Sequence, residues 1–180
     1  MRVINLIGEI NDGLTKTILE EVFKIEQEDK KIIEANEKLA DKKDYKELED
    51  LTINITSVGG LVYGVNAIYD ALSKLKCKVI TRGFGLCASG GFWLMLAGDE
   101  RYAGKNTNFL YHTMSYGYYG KLKECLDYAS YQNQVQERLD KIILEKTKIT
   151  QKLLEEHRKE DWWLNFEEAF DLDIIQGEIK

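Results

Sequence analysis

The sequence predicts an α/β fold, and two observations carry that expectation. Short runs rich in β-branched and aromatic residues alternate with longer runs whose apolar positions recur every three or four residues. No internal repeat or low-complexity tract interrupts the alternation. The 180 residues, 44% of them apolar, suit one domain (residues 1–180) with a real core.

Arg2 to Gly8 reads as the first strand, and Leu14 to about Glu28 as a helix with Leu14, Ile18, Val22 and Ile25 on one face. A charge-dense stretch, 29–50, follows, and a helical extension or solvated loop accounts for it better than a docking element. Leu51-Thr-Ile-Asn-Ile-Thr56 is a strand that ends on the glycine pair Gly59-Gly60. Leu61, Val65, Ile68, Leu72 and Leu75 mark the next helix, and Lys78-Val-Ile-Thr-Arg82 the third strand. Next comes the small-residue stretch Gly83-Phe-Gly-Leu-Cys-Ala-Ser-Gly-Gly91, read as an exposed turn. It opens onto Phe92-Trp-Leu-Met-Leu-Ala97, a helix apolar on every side and therefore buried. Glu100 to Ala103 and Asn108 to His112 are short strands. Lys121 to about Lys146 is a long amphipathic helix carrying Leu122, Cys125, Ala129, Leu139, Ile142 and Ile143.

Composition narrows the function. A net charge of −6 argues against nucleic acid as a partner, because phosphate binding needs clustered Lys and Arg. No apolar run approaches the roughly 18–20 residues of a membrane span, and no cleavable signal stands at the start. Cys77, Cys87 and Cys125 are odd in number and unpatterned, which suits a reducing cytoplasm. No Cys or His pair has metal-ligand spacing, so neither metal nor cofactor is expected. The absence of proline has no functional explanation.

Ser89 starts the buried helix, and two roles are open to it. Serine is a favoured N-cap, which alone is the better reading. A helix start also offers free N–H groups and a positive dipole end to a developing oxyanion, which fits a nucleophile. The chain has two histidines, His112 and His157, and His112 ends a strand. Ser89, His112 and the glycine pair thus follow three strand candidates, at the edge where α/β sites assemble. A serine nucleophile needs an imidazole base, a carboxylate to orient it and two N–H donors for the oxyanion. Gly60 and Gly90 can supply the donors. His157 reads as a solvated helix residue.

Other motifs are weaker. Gly83-Phe-Gly-Leu-Cys-Ala88 fits the dinucleotide fingerprint formally, but the acidic residues after it, Asp99 and Glu100, come too early for a ribose contact. Cys87 occupies the first glycine of G-x-S-x-G, so the α/β-hydrolase elbow fails. With no cation nearby to lower its pKa, Cys87 reads as a buried structural thiol.

Taken in order, Arg2-Val-Ile-Asn-Leu-Ile-Gly8, Ile55-Thr-Ser-Val-Gly-Gly60 with Ala67-Ile-Tyr-Asp70, Gly85-Leu-Cys-Ala-Ser-Gly90, Ala97-Gly98, the strand ending in His112 and Glu160-Asp-Trp-Trp-Leu-Asn-Phe-Glu-Glu-Ala169 resemble the proteolytic subunit of the Clp protease (ClpP). The resemblance implies the crotonase-like ββα superhelix and a serine endopeptidase that cuts unfolded polypeptides in an oligomeric chamber. By it, Ser89 matches the nucleophile, His112 the base, Asp161 the orienting carboxylate, and Gly60 and Gly90 the oxyanion-hole positions. It also implies self-assembly, with two stacked heptameric rings joined by a strand-turn-helix handle near 108–146. Tyr111, Tyr116, Tyr118 and Tyr119 cluster there, and tyrosine is enriched at protein contacts. Trp162 and Trp163 are expected to pack around Asp161.

Departures from the family pattern bear on the partner. Val58 stands where proline is usual, Gly90 where methionine is common, Thr113-Met114 where Gln-Pro is usual, and Asp173 where glycine is common. The chain starts almost at its first strand, so the axial segment that meets a Clp-type AAA+ unfoldase is expected to be missing. Two other readings follow: a phage-type protease that processes capsid or scaffold proteins without an ATPase, and a catalytically silent subunit. For the active enzyme, the rate should fall as the His112 imidazole is protonated.

Overall fold

A computed structural model describes residues 2–179. Seven strands form one mixed sheet: β1 (Arg2–Ile10), β2 (Leu51–Gly60), β3 (Val79–Ala88), β4 (Glu100–Ala103), β5 (Asn108–Tyr111), β6 (Trp162–Leu164) and β7 (Gly177–Glu178). The order β1-β2-β3-β4-β7 is parallel throughout. β5 also runs parallel to β3, and β6 is antiparallel to β5. The helices are α1 (Asp12–Asn36), α2 (Val62–Ser73), α3 (Gly90–Met95), α4 (Leu122–Lys146), α5 (Gln151–Glu156) and α6 (Phe166–Asp171). This is the α/β class that strand–helix alternation predicts.

Side chains alternate across the sheet, so one face takes Ile4, Leu6, Leu51, Ile53, Ile55 and Val79, all buried. α1 packs on β1, and α3 packs on β2 and β3. α1 starts at Asn11, whose side chain accepts from the Leu14 N–H at 2.9 Å, and buries Ile18, Val22 and Ile25. It runs eight residues past Glu28 because Asp29, on the same stripe, is buried against Arg2 in an ion pair. The charge-dense stretch therefore divides: helix to Asn36, then a short 3-10 turn at Lys42–Asp44 and extended chain to β2. The opposite face of β1–β3 carries no helix and leaves Val3, Ile7 and Phe84 exposed.

The small-residue stretch is not the exposed turn expected. β3 continues through an irregularity, with Gly85 at φ +67°, and stays strand to Ala88. Two ladders hold this extension: Ser57 of β2 pairs with Cys87, and β5 pairs with Leu86, Cys87 and Ala88. β3 thus exchanges one neighbour, β4, for another, β5, just before Ser89. α3 is buried at every position, as its composition predicts. The long helix α4 buries Val135, Gln136, Leu139, Asp140 and Ile143, whereas Leu122, Leu126 and Tyr131 nearer its start are exposed.

Asp173 adopts φ +57°, the left-handed region that favours glycine. Its carbonyl oxygen accepts from Arg101 Nη2 at 2.8 Å. Among the described residues, no helix is long and apolar enough to cross a membrane.

Candidate active site

Ser89 joins β3 to α3 with φ 51° and ψ −121°, a conformation a non-glycine residue holds only under constraint. The constraint is local: the Ser89 N–H donates to the Leu110 carbonyl at 2.9 Å, which extends the β3–β5 ladder by one rung. Ser89 occupies the N-cap position of α3, yet its side chain makes no capping hydrogen bond. The hydroxyl is left for other use.

The glycine pair packs directly against it. A Cβ on Gly59, which has φ +91°, would lie 2.5 Å from Ser89 Cβ and 2.9 Å from its Oγ. Ser57 shapes this approach, its Oγ donating to the Gly8 carbonyl at 2.6 Å and accepting from the Gly59 N–H at 3.0 Å. Gly60 (φ +150°) pairs with Ile10, and any Cβ there would run into the Ile10 carbonyl oxygen. Gly59 is the contact that sequence reasoning missed, since the pair itself does not say which glycine meets the serine.

Ser89, Gly60, Gly90 and His112 line one cavity of about 200 Å³, completed by Val62, Val65, Trp93, Met114, Ser115 and Leu139. The Trp93 indole N–H donates to the Leu139 carbonyl at 3.2 Å, fixing one wall. An apolar cavity with a hydroxyl and an imidazole at its edge has the form of a small binding and reaction site.

His112, half-buried, places Nδ1 2.7 Å from the Thr113 carbonyl oxygen. A carbonyl only accepts, so Nδ1 carries the proton and Nε2 of the neutral ring is free to take one. The antiparallel register ends at Tyr111 and Trp162; counting one further step would set Asp161 opposite His112, but neither residue belongs to a strand. Asp161 is nevertheless exposed, lies outside the cavity lining, and has no hydrogen bond or ion pair among the described residues. Four of the five expected residues therefore meet at one cavity, and the fifth, Asp161, makes no hydrogen bond to His112.

The remaining candidates fall away from the chemistry. His157 caps α5 and stacks on Trp162, with ring centroids 4.0 Å apart, so it is half-buried rather than solvated. Trp162 also packs edge-on to Tyr111, while Trp163 is exposed. Cys87 is fully buried, and burial pushes its thiol up to about 12, which leaves it no nucleophile at neutral pH. No group of His, Cys, Asp and Glu among the described residues has the geometry to hold a metal ion.

Comparison with known proteins shows the family. ATP-dependent Clp protease proteolytic subunit 2 of Pseudomonas aeruginosa is 35% identical over 123 residues, which is 67% of this chain and 61% of that protein. The chain thus spans under two-thirds of the relative's length. The sequence pattern of the Clp protease family matches residues 1–179, and the chain belongs to that family.

Proposed function

We propose that the chain is a serine endopeptidase that hydrolyses peptide bonds of unfolded polypeptides inside an oligomeric chamber. Ser89 Oγ attacks the scissile carbonyl while His112 Nε2 takes its proton. The N–H groups of Gly60 and Gly90 stabilise the oxyanion, and His112 returns the proton to the leaving amine. Water then attacks the acyl-enzyme by the same base. Asp161 orients the imidazole once a rotation of one or both side chains brings the two groups together.

One observation carries the reading: Ser89 holds the N-cap position in a constrained conformation without capping, and its residue shares a cavity with His112. Membership of the Clp protease family supports it. The uncovered face of β1–β3 supports self-assembly, because parallel sheets are ordinarily covered on both sides. The exposed start of α4, with Tyr116, Tyr118 and Tyr119 before it, supports a handle-type contact between rings at 108–146. A Clp-type AAA+ unfoldase in the cytoplasm is the corresponding partner.

A second reading, a silent subunit, is favoured by the exposure of Asp161 and the hold of Thr113 on His112. Intact mass after incubation with a serine-directed fluorophosphonate separates the two. The expected result is one adduct on the assembled protein that Ser89→Ala abolishes. An assembled oligomer that takes no adduct overturns the peptidase reading.

A further inference from the structure

Asp140 lies on the buried face of α4, 3% exposed, and gathers donors from three directions. Tyr111 Oη donates to Oδ1 at 3.1 Å and Gln136 Nε2 to the same oxygen at 2.7 Å. Arg158 Nη2 donates to Oδ2 in a short ion pair. Gln136 does not end the network, because its Oε1 accepts from the Met114 N–H at 2.7 Å.

The partners bracket the reacting groups. Tyr111 precedes His112, and Met114 follows it by two residues and lines the cavity. Arg158 precedes Asp161 by three, and the chain between them carries no other buried polar tie. One carboxylate thus joins the segment that bears the base to the segment that bears the orienting acid. Arg158 Nε is buried without an acceptor, so a shift of the α5–β6 connection has a donor to satisfy. Arg158 is itself about one-third exposed, so the pair is only half-buried and contributes modestly to stability. Its use here, beside the site, fits placement of the chain better than stabilisation of the core.

Resting on the peptidase reading, we infer that Asp140 is a positioning residue of the reaction. Through Tyr111 and Gln136 it holds both flanks of His112, and through Arg158 it sets where Asp161 stands relative to them.

The test uses the assembled protein and two variants, with fluorophosphonate labelling rate, kcat and KM on a short peptide, and thermal midpoint as readouts. Tyr111→Phe combined with Gln136→Leu cuts both ties to the His112 segment and leaves the Asp140–Arg158 pair intact. Labelling and kcat are expected to fall about ten- to a hundredfold, with KM changed far less. Asp140→Asn keeps the shape and still accepts from Tyr111 and Gln136, but loses the charge that holds Arg158. It is expected to lower the thermal midpoint and, in the folded state below that midpoint, to label more slowly than wild type with KM little changed, and it decides the matter if the double variant fails to fold. A folded variant that labels and turns over within about twofold of wild type overturns the inference, because a merely structural tie leaves those rates alone. A wild-type chain that takes no label sinks the peptidase reading and this inference together, whereas a labelled wild type with equally fast variants sinks the inference alone.

Discussion

His112 Nδ1 donates to the carbonyl oxygen of Thr113, the next residue in the chain, at 2.7 Å. A neighbouring carbonyl thereby selects the tautomer that a carboxylate would otherwise select, but it adds no negative charge to stabilise an imidazolium. The unassembled protomer should therefore depend on His112 and hardly on Asp161. His112→Ala is expected to reduce fluorophosphonate labelling by about a thousandfold or more, and Asp161→Asn by less than about threefold. In the assembled form Asp161→Asn should slow labelling by about a hundredfold or more. Equal effects of Asp161→Asn in both forms would show that the Thr113 carbonyl does not substitute for it.

Gly59 packs closely against Ser89. Alanine there would meet Ser89 Cβ at 2.5 Å and would also have to adopt φ +91°. Gly59→Ala is expected to cost about 1–3 kcal/mol of stability from backbone strain. Displacement of Ser89 should lower its labelling rate by about a hundredfold. Denaturant unfolding and labelling kinetics on the same preparation check both effects.

The bare sheet face gives a test of assembly that avoids the site. Ile7 and Phe84 are 63% and 39% exposed on the sheet face that no helix among the described residues covers. Ile7→Asp or Phe84→Asp should leave the thermal midpoint of the protomer nearly unchanged, since exposed substitutions fall within about 0.5 kcal/mol. Light scattering after size exclusion should show a smaller assembly. An unchanged assembly would remove this face from the interface.

Two buried thiols set an alkaline limit. Burial, reinforced by the Asp29 carboxylate, pushes Cys77 up to about 11, and burial alone pushes Cys87 up to about 12, from an ordinary value near 9. In the unfolded chain both would ionise first, so above about pH 9 the unfolded state binds fewer protons and stability falls as pH rises. The thermal midpoint should decline over that range, with little contribution from these groups below it. At pH 8 a thiol reagent should modify native protein at Cys125, the thiol that is not buried, and reach Cys77 and Cys87 upon unfolding. Mass mapping of the modified residues decides it.

Periodicity made β1, β2, α2 and the second half of α4 legible, because each buries one face and writes that face as a repeat. It misled at Gly83–Ala88, where glycines suggest a turn. The residues are strand because β2 and β5 lie on either side of them, a tertiary circumstance with no local trace. Ser89, His112, Gly60 and Gly90 could be picked by residue type and strand-end position. Asp161 could be picked only by resemblance, since its surroundings from Glu155 to Asp173 are crowded with acids. Asp140 was invisible for a similar reason: a carboxylate on a charged helix reads as solvated, and only packing reveals that it faces inward.

The rung from the Ser89 N–H to the Leu110 carbonyl also has a consequence for how the protein is made. A chain synthesised from its N-terminus exposes residue 89 well before residue 110. β5, which supplies that carbonyl, is itself flanked by β6 at residues 162–164. The serine therefore cannot be held by this rung until residue 110 has emerged. Until then residues 86–88 also lack the β5 neighbour that keeps them in the sheet.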